Sequence, residues 1–150
     1  MQKNLKVVML VSMLMFLQST FAQDKPEELV EKFFVNYQKI GASGAIDSLY
    51  ATNDWVNRKT DEISSLKNQI EGLTEDYVGQ YYGYELIVEK KVANSYLLVS
   101  YLVKFDRQPI RFTFQFYKPN NEWKIFAFQY DGNLDDEIEE AAKLYYQKLK

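Results

Sequence analysis

The side chains of this chain that could do chemistry are carboxylates, hydroxyls, phenols, lysines and arginines, because its 150 residues include no histidine and no cysteine. A Ser-His-Asp triad, a cysteine nucleophile and the usual nitrogen and sulfur ligands of zinc are therefore excluded. No metal site and no cofactor is predicted. Proton abstraction by a carboxylate, assisted by a tyrosine or arginine donor, stays open.

One short motif matches a catalytic pattern. Ser64 and Lys67 have the S-x-x-K spacing in which a lysine activates a serine one helical turn away. The companion motifs of that enzyme class are absent, and the chain is far too short for its fold. We interpret the match as chance on a helix surface.

The elements that must position any site are predicted most clearly near the C-terminal end. Four short runs between Tyr84 and Tyr130 alternate apolar and polar residues, which is typical of antiparallel strands with one face in a core. Turns at Asn94-Ser95, Asp106-Arg107 and Asn120-Asn121 predict the strand pairing. The predicted partners are Val103 with Ile110, Tyr101 with Phe112, Phe116 with Ile125, and Phe114 with Ala127.

This pairing predicts two different faces of the sheet. One face is apolar, with Tyr84, Lys90, Tyr101 and Gln129 as its main polar groups and no strand carboxylate. Tyr84, Tyr101 and Gln129 are the candidates for lining a ligand pocket. The opposite face is mixed and aromatic, and its candidates for an interface are Tyr96, Leu98, Arg111, Gln115, Phe126, Phe128 and Tyr130. Arg111 is expected to pair with an acid across an interface or to lie over an aromatic ring.

Helices are predicted along the chain both before the first strand and after the last one. Pro26 and the acids after it open a helix, which breaks at residues 41–44 before a short second helix over Ala45–Tyr50. A third helix begins near Thr60, and a final one begins at Asn133. The predicted fold class is α+β, with N-terminal helices packed on a curved, cone-like antiparallel sheet and a C-terminal helix.

The N-terminal segment resembles a signal peptide. Lys3 and Lys6 precede an apolar run from Val7 to Leu17, and small residues at Thr20 and Ala22 suit a signal peptidase. We expect cleavage after Ala22, export to the periplasm or the medium, and no membrane attachment afterwards. The predicted organisation is a signal peptide at 1–22, one domain at 23–131 and a helical extension at 132–150.

Net charge and cysteine content limit the classes of partner that the chain is expected to bind and the ways in which it can be stabilised. Loss of the leader leaves 16 basic against 21 acidic residues, a net charge of −5, which disfavours nucleic acid and anionic membranes as partners. Without cysteine no disulfide stabilises the exported chain, so its stability depends on packing.

In its order of elements, the segment from Pro26 to Asp131 resembles the nuclear-transport-factor-two-like superfamily, whose cone fold is shared with ketosteroid isomerases and polyketide cyclases. The resemblance lies in the opening helix from Pro26 to Phe34 and in the closing hairpin from Phe112 to Tyr130. It implies a pocket inside the cone and an outer sheet face that often forms a dimer interface. Members include enzymes, ligand binders and structural modules.

Two functional hypotheses follow. The first is a noncatalytic exported module that forms a homodimer or binds a partner through the mixed outer face of its sheet. The second is a pocket inside the cone that binds a small apolar ligand or acts as an acid-base isomerase or dehydratase. The missing strand acid weighs against catalysis, although Asp47 or Asp54 could reach the mouth of the cone.

Overall fold

The structure is a computed structural model that describes residues 25–148 and the side chains of 25–136 and 138–143. Helices come first and a four-stranded antiparallel sheet follows, in the order β1-β2-β3-β4, which confirms the predicted α+β class. The predicted signal peptide lies outside the described residues. The elements are α1 (Pro26–Tyr50), a 3₁₀ turn (Val56–Arg58), α2 (Thr60–Glu71), α3 (Glu75–Val78), β1 (Tyr81–Val92), β2 (Tyr96–Phe105), β3 (Pro109–Tyr117), β4 (Lys124–Asp131) and α4 (Leu134–Lys148).

Helix α1 has a break inside it at the predicted place. Pro26 lies in the first turn, and the backbone N–H of Lys25 donates to the Glu28 carboxylate at 3.2 Å. Gly41 has φ +80°, which interrupts the helical backbone and divides α1 into two segments. The first segment buries Leu29, Val30, Phe33 and Phe34, and the second buries Ala45, Ile46 and Leu49.

Helix α2 confirms the predicted third helix, with Ile63 and Ile70 buried. The short helix α3 is not predicted from the sequence. The N–H of Arg107 in the β2–β3 turn donates to the carbonyl oxygen of Val78 at 2.9 Å, so the end of α3 is fixed to that turn.

The predicted pairing of β2 with β3 is confirmed, since Val103 pairs with Ile110 and Tyr101 with Phe112. At the β3–β4 ladder Phe116 pairs with Ile125 as predicted, but Phe114 pairs with Phe128 and not with Ala127. A β-bulge causes the difference. Phe126 is the extra residue between Ile125 and Ala127. After it, every side chain of β4 lies on the face opposite to the one predicted from the turns.

A second bulge, at Ile87 in β1, corrects the predicted faces there. Leu86 pairs with Tyr101 and Val88 with Ser100, so the residues after the bulge are shifted by one. Lys90 and Val88 consequently lie on the side opposite to the one predicted, and Glu89 comes to the side of the core.

The core lies between α1, α2 and one face of the sheet, which we call the inner face. Its centre is aromatic, and the Phe33 ring lies 5.1 Å from that of Phe114 and 5.2 Å from that of Phe128. Phe112, Phe114 and Phe116 are fully buried. Within residues 25–148, none of the helices combines the length and the apolar character that crossing a membrane requires.

Candidate functional site

The outer face of the sheet, which points away from α1 and α2, carries five of the seven interface candidates. Tyr96, Leu98, Arg111, Gln115 and Phe126 all lie on it. The other two, Phe128 and Tyr130, were placed there wrongly. The bulge turns both toward the core, where Phe128 is 4% exposed and Tyr130 packs against Phe112.

An aromatic cluster forms one end of the outer face. The Tyr96 hydroxyl donates to the Gln115 side-chain oxygen at 2.7 Å. The Tyr96 and Phe126 rings meet edge to face, with centroids 6.0 Å apart, and Phe126 remains 51% exposed. The bulge therefore moves a large apolar ring out to the surface, while its hydrogen-bonded neighbours hold the position of that ring.

The middle of the outer face is small and uncharged. Ser100 and Thr113 face each other across β2 and β3 with their hydroxyl oxygens 2.9 Å apart, and Ser100 is 4% exposed. Leu98 and Leu102 lie along β2 on either side of this pair and are half-buried. The surface between the strand ends is thus a mixture of apolar and neutral hydrogen-bonding groups.

Two ion pairs within the chain join charged side chains of the outer face. The Arg111 guanidinium donates to both oxygens of Asp131, from Nε at 3.1 Å and from Nη2 at 2.9 Å. Lys104 and Glu85 form a second ion pair at 2.6 Å. Arg111 was expected to pair across an interface or to cover an aromatic ring; its acid partner Asp131 belongs to the same sheet.

The inner face holds two of the three pocket candidates, and aromatic rings pack against both. The Tyr84 ring stacks on Phe34 with centroids 3.7 Å apart, and the Tyr101 ring meets Phe34 edge to face at 5.8 Å. Gln129 was placed inside the cone wrongly. It pairs with Thr113 on the outer face and is exposed.

One acid of the strands was missed by sequence reasoning. Glu89 pairs with the buried Val99 and so lies at the rim of the inner face, in contradiction to the prediction that no strand carboxylate faces inward. Its carboxylate forms an ion pair with Lys91 at 2.7 Å. Asp47 is paired with Lys67 and Asp54 is exposed, so neither of these acids lies inside the core.

The S-x-x-K pair has no catalytic geometry. Both oxygens of Asp47 accept hydrogen bonds from the Lys67 ammonium, at 2.9 and 2.8 Å, and Ser64 is exposed. The Lys67 ammonium is thus held by a carboxylate of α1, and among the described residues it forms no hydrogen bond with Ser64. This geometry agrees with the interpretation of the motif as chance.

Several tyrosines between α1 and the sheet have raised pKa values. Burial, with a smaller contribution from the charge of Tyr81, raises the pKa of Tyr37 to about 12. Burial also raises the pKa of Tyr84 and Tyr101; Glu31 adds to the effect at Tyr84, and Tyr84 with Glu27 and Glu89 adds to it at Tyr101. The folded state therefore favours the neutral form of these phenols.

The raised pKa of Tyr37 predicts a loss of stability in alkali. An unfolded tyrosine ionises near pH 10 while folded Tyr37 ionises near 12, so the folded state binds the extra proton between those values. Its contribution is complete below pH 10 and is lost as the pH rises toward 12. We expect Tyr37→Phe to reduce the fall in the urea midpoint between pH 8 and 11.

The exposed Tyr117 supplies the matched control, since it is 45% exposed. Tyr117→Phe should leave the alkaline fall in the midpoint unchanged. Equal effects of the two variants would contradict the assignment of the effect to a buried phenol.

Comparisons with known proteins add no family to these observations. No family model, no curated protein and no solved structure matches the chain. In the part of the chain that the structure describes, no group of three or more acidic side chains is arranged to hold a metal ion.

Proposed function

We propose that the chain is an exported, noncatalytic module that binds a second copy of itself through the outer face of its sheet. The observation that carries the proposal is the outward Phe126, which the bulge in β4 leaves half exposed beside the Tyr96–Gln115 hydrogen bond. Aromatic rings supported in this way are typical anchors of protein interfaces. The order of elements in the sequence also resembles that of the nuclear-transport-factor-two-like superfamily, whose members often form dimers through the outer sheet face.

The charge distribution favours a second copy over a charged partner. Arg111 is paired with Asp131, and Lys104 with Glu85, so the middle of the outer face presents little net charge to attract an oppositely charged protein; Lys90 lies at its β1 edge. A neutral band of leucine, serine, threonine and glutamine can meet its own copy without opposing like charges. The band can also both donate and accept hydrogen bonds across the interface, since hydroxyls and amides do both.

The alternative, a small apolar ligand or acid-base catalysis inside the cone, has less support. Tyr84 and Tyr101 pack on Phe34, and Gln129 lies on the other face. A general base for proton abstraction needs a shielded carboxylate with a raised pKa. Glu89 is instead an ion-paired side chain at the rim.

The dimer is tested by charge insertion on the outer face. Native mass spectrometry and sedimentation equilibrium of the purified protein should show a dimer, and Phe126→Glu or Leu98→Glu should convert it to a monomer. Burying an unpaired carboxylate at an interface costs about 2–5 kcal/mol, which corresponds to weakening of roughly 30-fold or more. Ile40→Glu is the matched control, because Ile40 is 61% exposed and belongs to α1 and not to the sheet.

Two outcomes would reject the interface. One is a monomer at high protein concentration. The other is a dimer that responds to Ile40→Glu as strongly as to Phe126→Glu and Leu98→Glu.

Export is a separate expectation with its own measurement. If the leader is cleaved after Ala22, intact mass and N-terminal sequencing of the secreted protein should show a chain that begins at Gln23. Ala22→Asp should block this cleavage, because the peptidase requires a small residue there. Recovery of the secreted protein with Met1 still present would contradict the assignment.

A further inference from the structure

A cleft lies at the end of the sheet opposite the Phe126 bulge and meets the outer face at its edge residue Asp131. It lies between the C-terminal end of α2, the helix α3 and the strand ends where β3 begins and β4 finishes, and its volume is about 330 Å³. This volume is at the lower end of the range of roughly 300–1,000 Å³ that small-molecule sites occupy. The side chains that give the cleft its chemistry are Gln69, Leu73, Tyr77, Gln108, Tyr130 and Asp131.

The lining offers neutral groups that can act both as hydrogen-bond donors and as acceptors. The amides of Gln69 and Gln108 and the hydroxyls of Tyr77 and Tyr130 can each donate and accept. The Gln108 side chain is half-buried and forms no hydrogen bond with the described residues, which leaves its amide available to a ligand. Among the residues that line the cleft, none is lysine or arginine, so an anionic ligand would find no counter-charge there.

Asp131 supplies an oriented acceptor at the edge of the cleft. Arg111 donates to both of its oxygens, and the backbone N–H of Asn133 donates to Oδ1 at 2.9 Å. The carboxylate is thereby fixed and its charge offset. Oδ2 accepts one of these three bonds and keeps room for a further donor, such as a ligand hydroxyl.

Two aromatic rings form walls for the apolar side of a ligand. Tyr130 is held by its contact with Phe112, with centroids 6.3 Å apart. Tyr77 is 63% exposed and lies on α3, whose end is fixed to the β2–β3 turn by the bond from Arg107 to Val78. The Tyr130 ring is therefore held in place before a ligand binds, which reduces the entropy lost on binding, and the backbone that carries Tyr77 is fixed as well.

We propose that this cleft binds a neutral polyhydroxylated ligand of the size of a mono- or disaccharide. Sugar hydroxyls donate and accept, as the amides and phenols of the lining do, and the C–H face of a sugar ring packs on tyrosine. An acidic sugar is excluded by the Asp131 carboxylate and by the missing cation.

The proposal is tested by titrating the purified protein with D-glucose, D-galactose, N-acetyl-D-glucosamine and maltose, with D-glucuronate as the anionic counterpart. Saturation-transfer NMR and calorimetry should detect at least one neutral sugar in the millimolar range, and glucuronate should bind at least about tenfold more weakly. Gln108→Ala and Tyr77→Ala should each weaken binding by about fivefold or more, the loss expected for one hydrogen bond or one ring contact.

Matched controls lie on the outer face. Gln129→Ala and Tyr117→Ala remove an exposed amide and an exposed phenol outside the cleft, and both should leave the affinity unchanged. The proposal is overturned if none of the neutral sugars binds at about 20 mM, a concentration far above a millimolar Kd. Binding that is indifferent to Gln108→Ala and Tyr77→Ala, or as tight for glucuronate, would also overturn it.

Discussion

Phe128→Ala is expected to lower the free energy of unfolding by about 3–5 kcal/mol, the usual cost of removing a fully packed phenylalanine from a core. The Phe128 ring lies 5.0–5.3 Å from those of Phe33, Phe112 and Phe114, and its residue is 4% exposed. Such a loss is a large fraction of the total free energy of unfolding of a domain of this size, which is usually about 5–15 kcal/mol. Chemical denaturation followed by tryptophan fluorescence measures it.

Phe126→Ala is the matched comparison, two residues away in the same strand. Its ring is 51% exposed and contacts Tyr96, so we expect a cost below about 1 kcal/mol. Both variants should be measured at two protein concentrations, because self-association would stabilise the folded chain by mass action. A larger loss for Phe126 than for Phe128 would reject the bulge and favour the uninterrupted pairing predicted from the turns.

Gly79→Ala is expected to destabilise the protein by about 3 kcal/mol, the sum of backbone strain and steric overlap. Gly79 has φ +85°, which disfavours any residue with a Cβ. An added Cβ would lie 2.6 Å from the Cβ of Asp106 and 3.0 Å from the backbone nitrogen of Arg107. It would therefore push against the turn whose N–H groups donate to Val78 and Gln80.

Gly83→Ala separates the two contributions. Gly83 also has a positive φ, +110°, but an added Cβ would meet nothing within 4 Å. Its cost should be the strain alone, about 1–2 kcal/mol. Equal losses in the denaturation midpoint for the two variants would show that the contact of Gly79 with the turn contributes nothing.

Local patterns were sufficient to predict the helices and the central hairpin. Gly41 breaks α1 where a run of small residues ends the apolar periodicity, and α2 begins at Thr60 as its acids indicate. The pairing of β2 with β3 follows from one turn at Asp106-Arg107. In each case the information lies within a few residues of the feature itself.

The faces of the two edge strands, β1 and β4, were harder to predict, because a bulge reverses the face of every residue that follows it in the strand. Leu86-Ile87-Val88 and Ile125-Phe126-Ala127-Phe128 are consecutive apolar runs that break the alternation, and this was the available signal. Which residue becomes the extra one depends on packing against α1, which no local pattern reports. The faces assigned to Glu89, Phe128, Gln129 and Tyr130 were wrong for this reason.

The sheet face of a candidate residue was predicted correctly where the residue lies in a strand without a bulge. Tyr96, Leu98, Arg111 and Gln115 belong to the regular central strands and lie on the expected face. The cleft at the end of the sheet was not predicted, because α3 and its attachment to the β2–β3 turn bring Tyr77 and Gln108 together across 31 residues of sequence. Long-range contacts of this kind have no sequence periodicity.

The bulges of the edge strands also bear on how readily the sheet could pair with another molecule. β1 and β4 are the two edges of the sheet; the ladder of β1 is interrupted twice, at Tyr82 and at Ile87, and that of β4 once, at Phe126. An interrupted edge offers no straight row of free N–H and C=O groups to the strand of another molecule, and Lys90 and Lys91 add charge at the end of β1. Growth of the sheet into fibres by edge-to-edge addition is thereby discouraged, which is compatible with the proposed face-to-face pair, an assembly that closes at two copies.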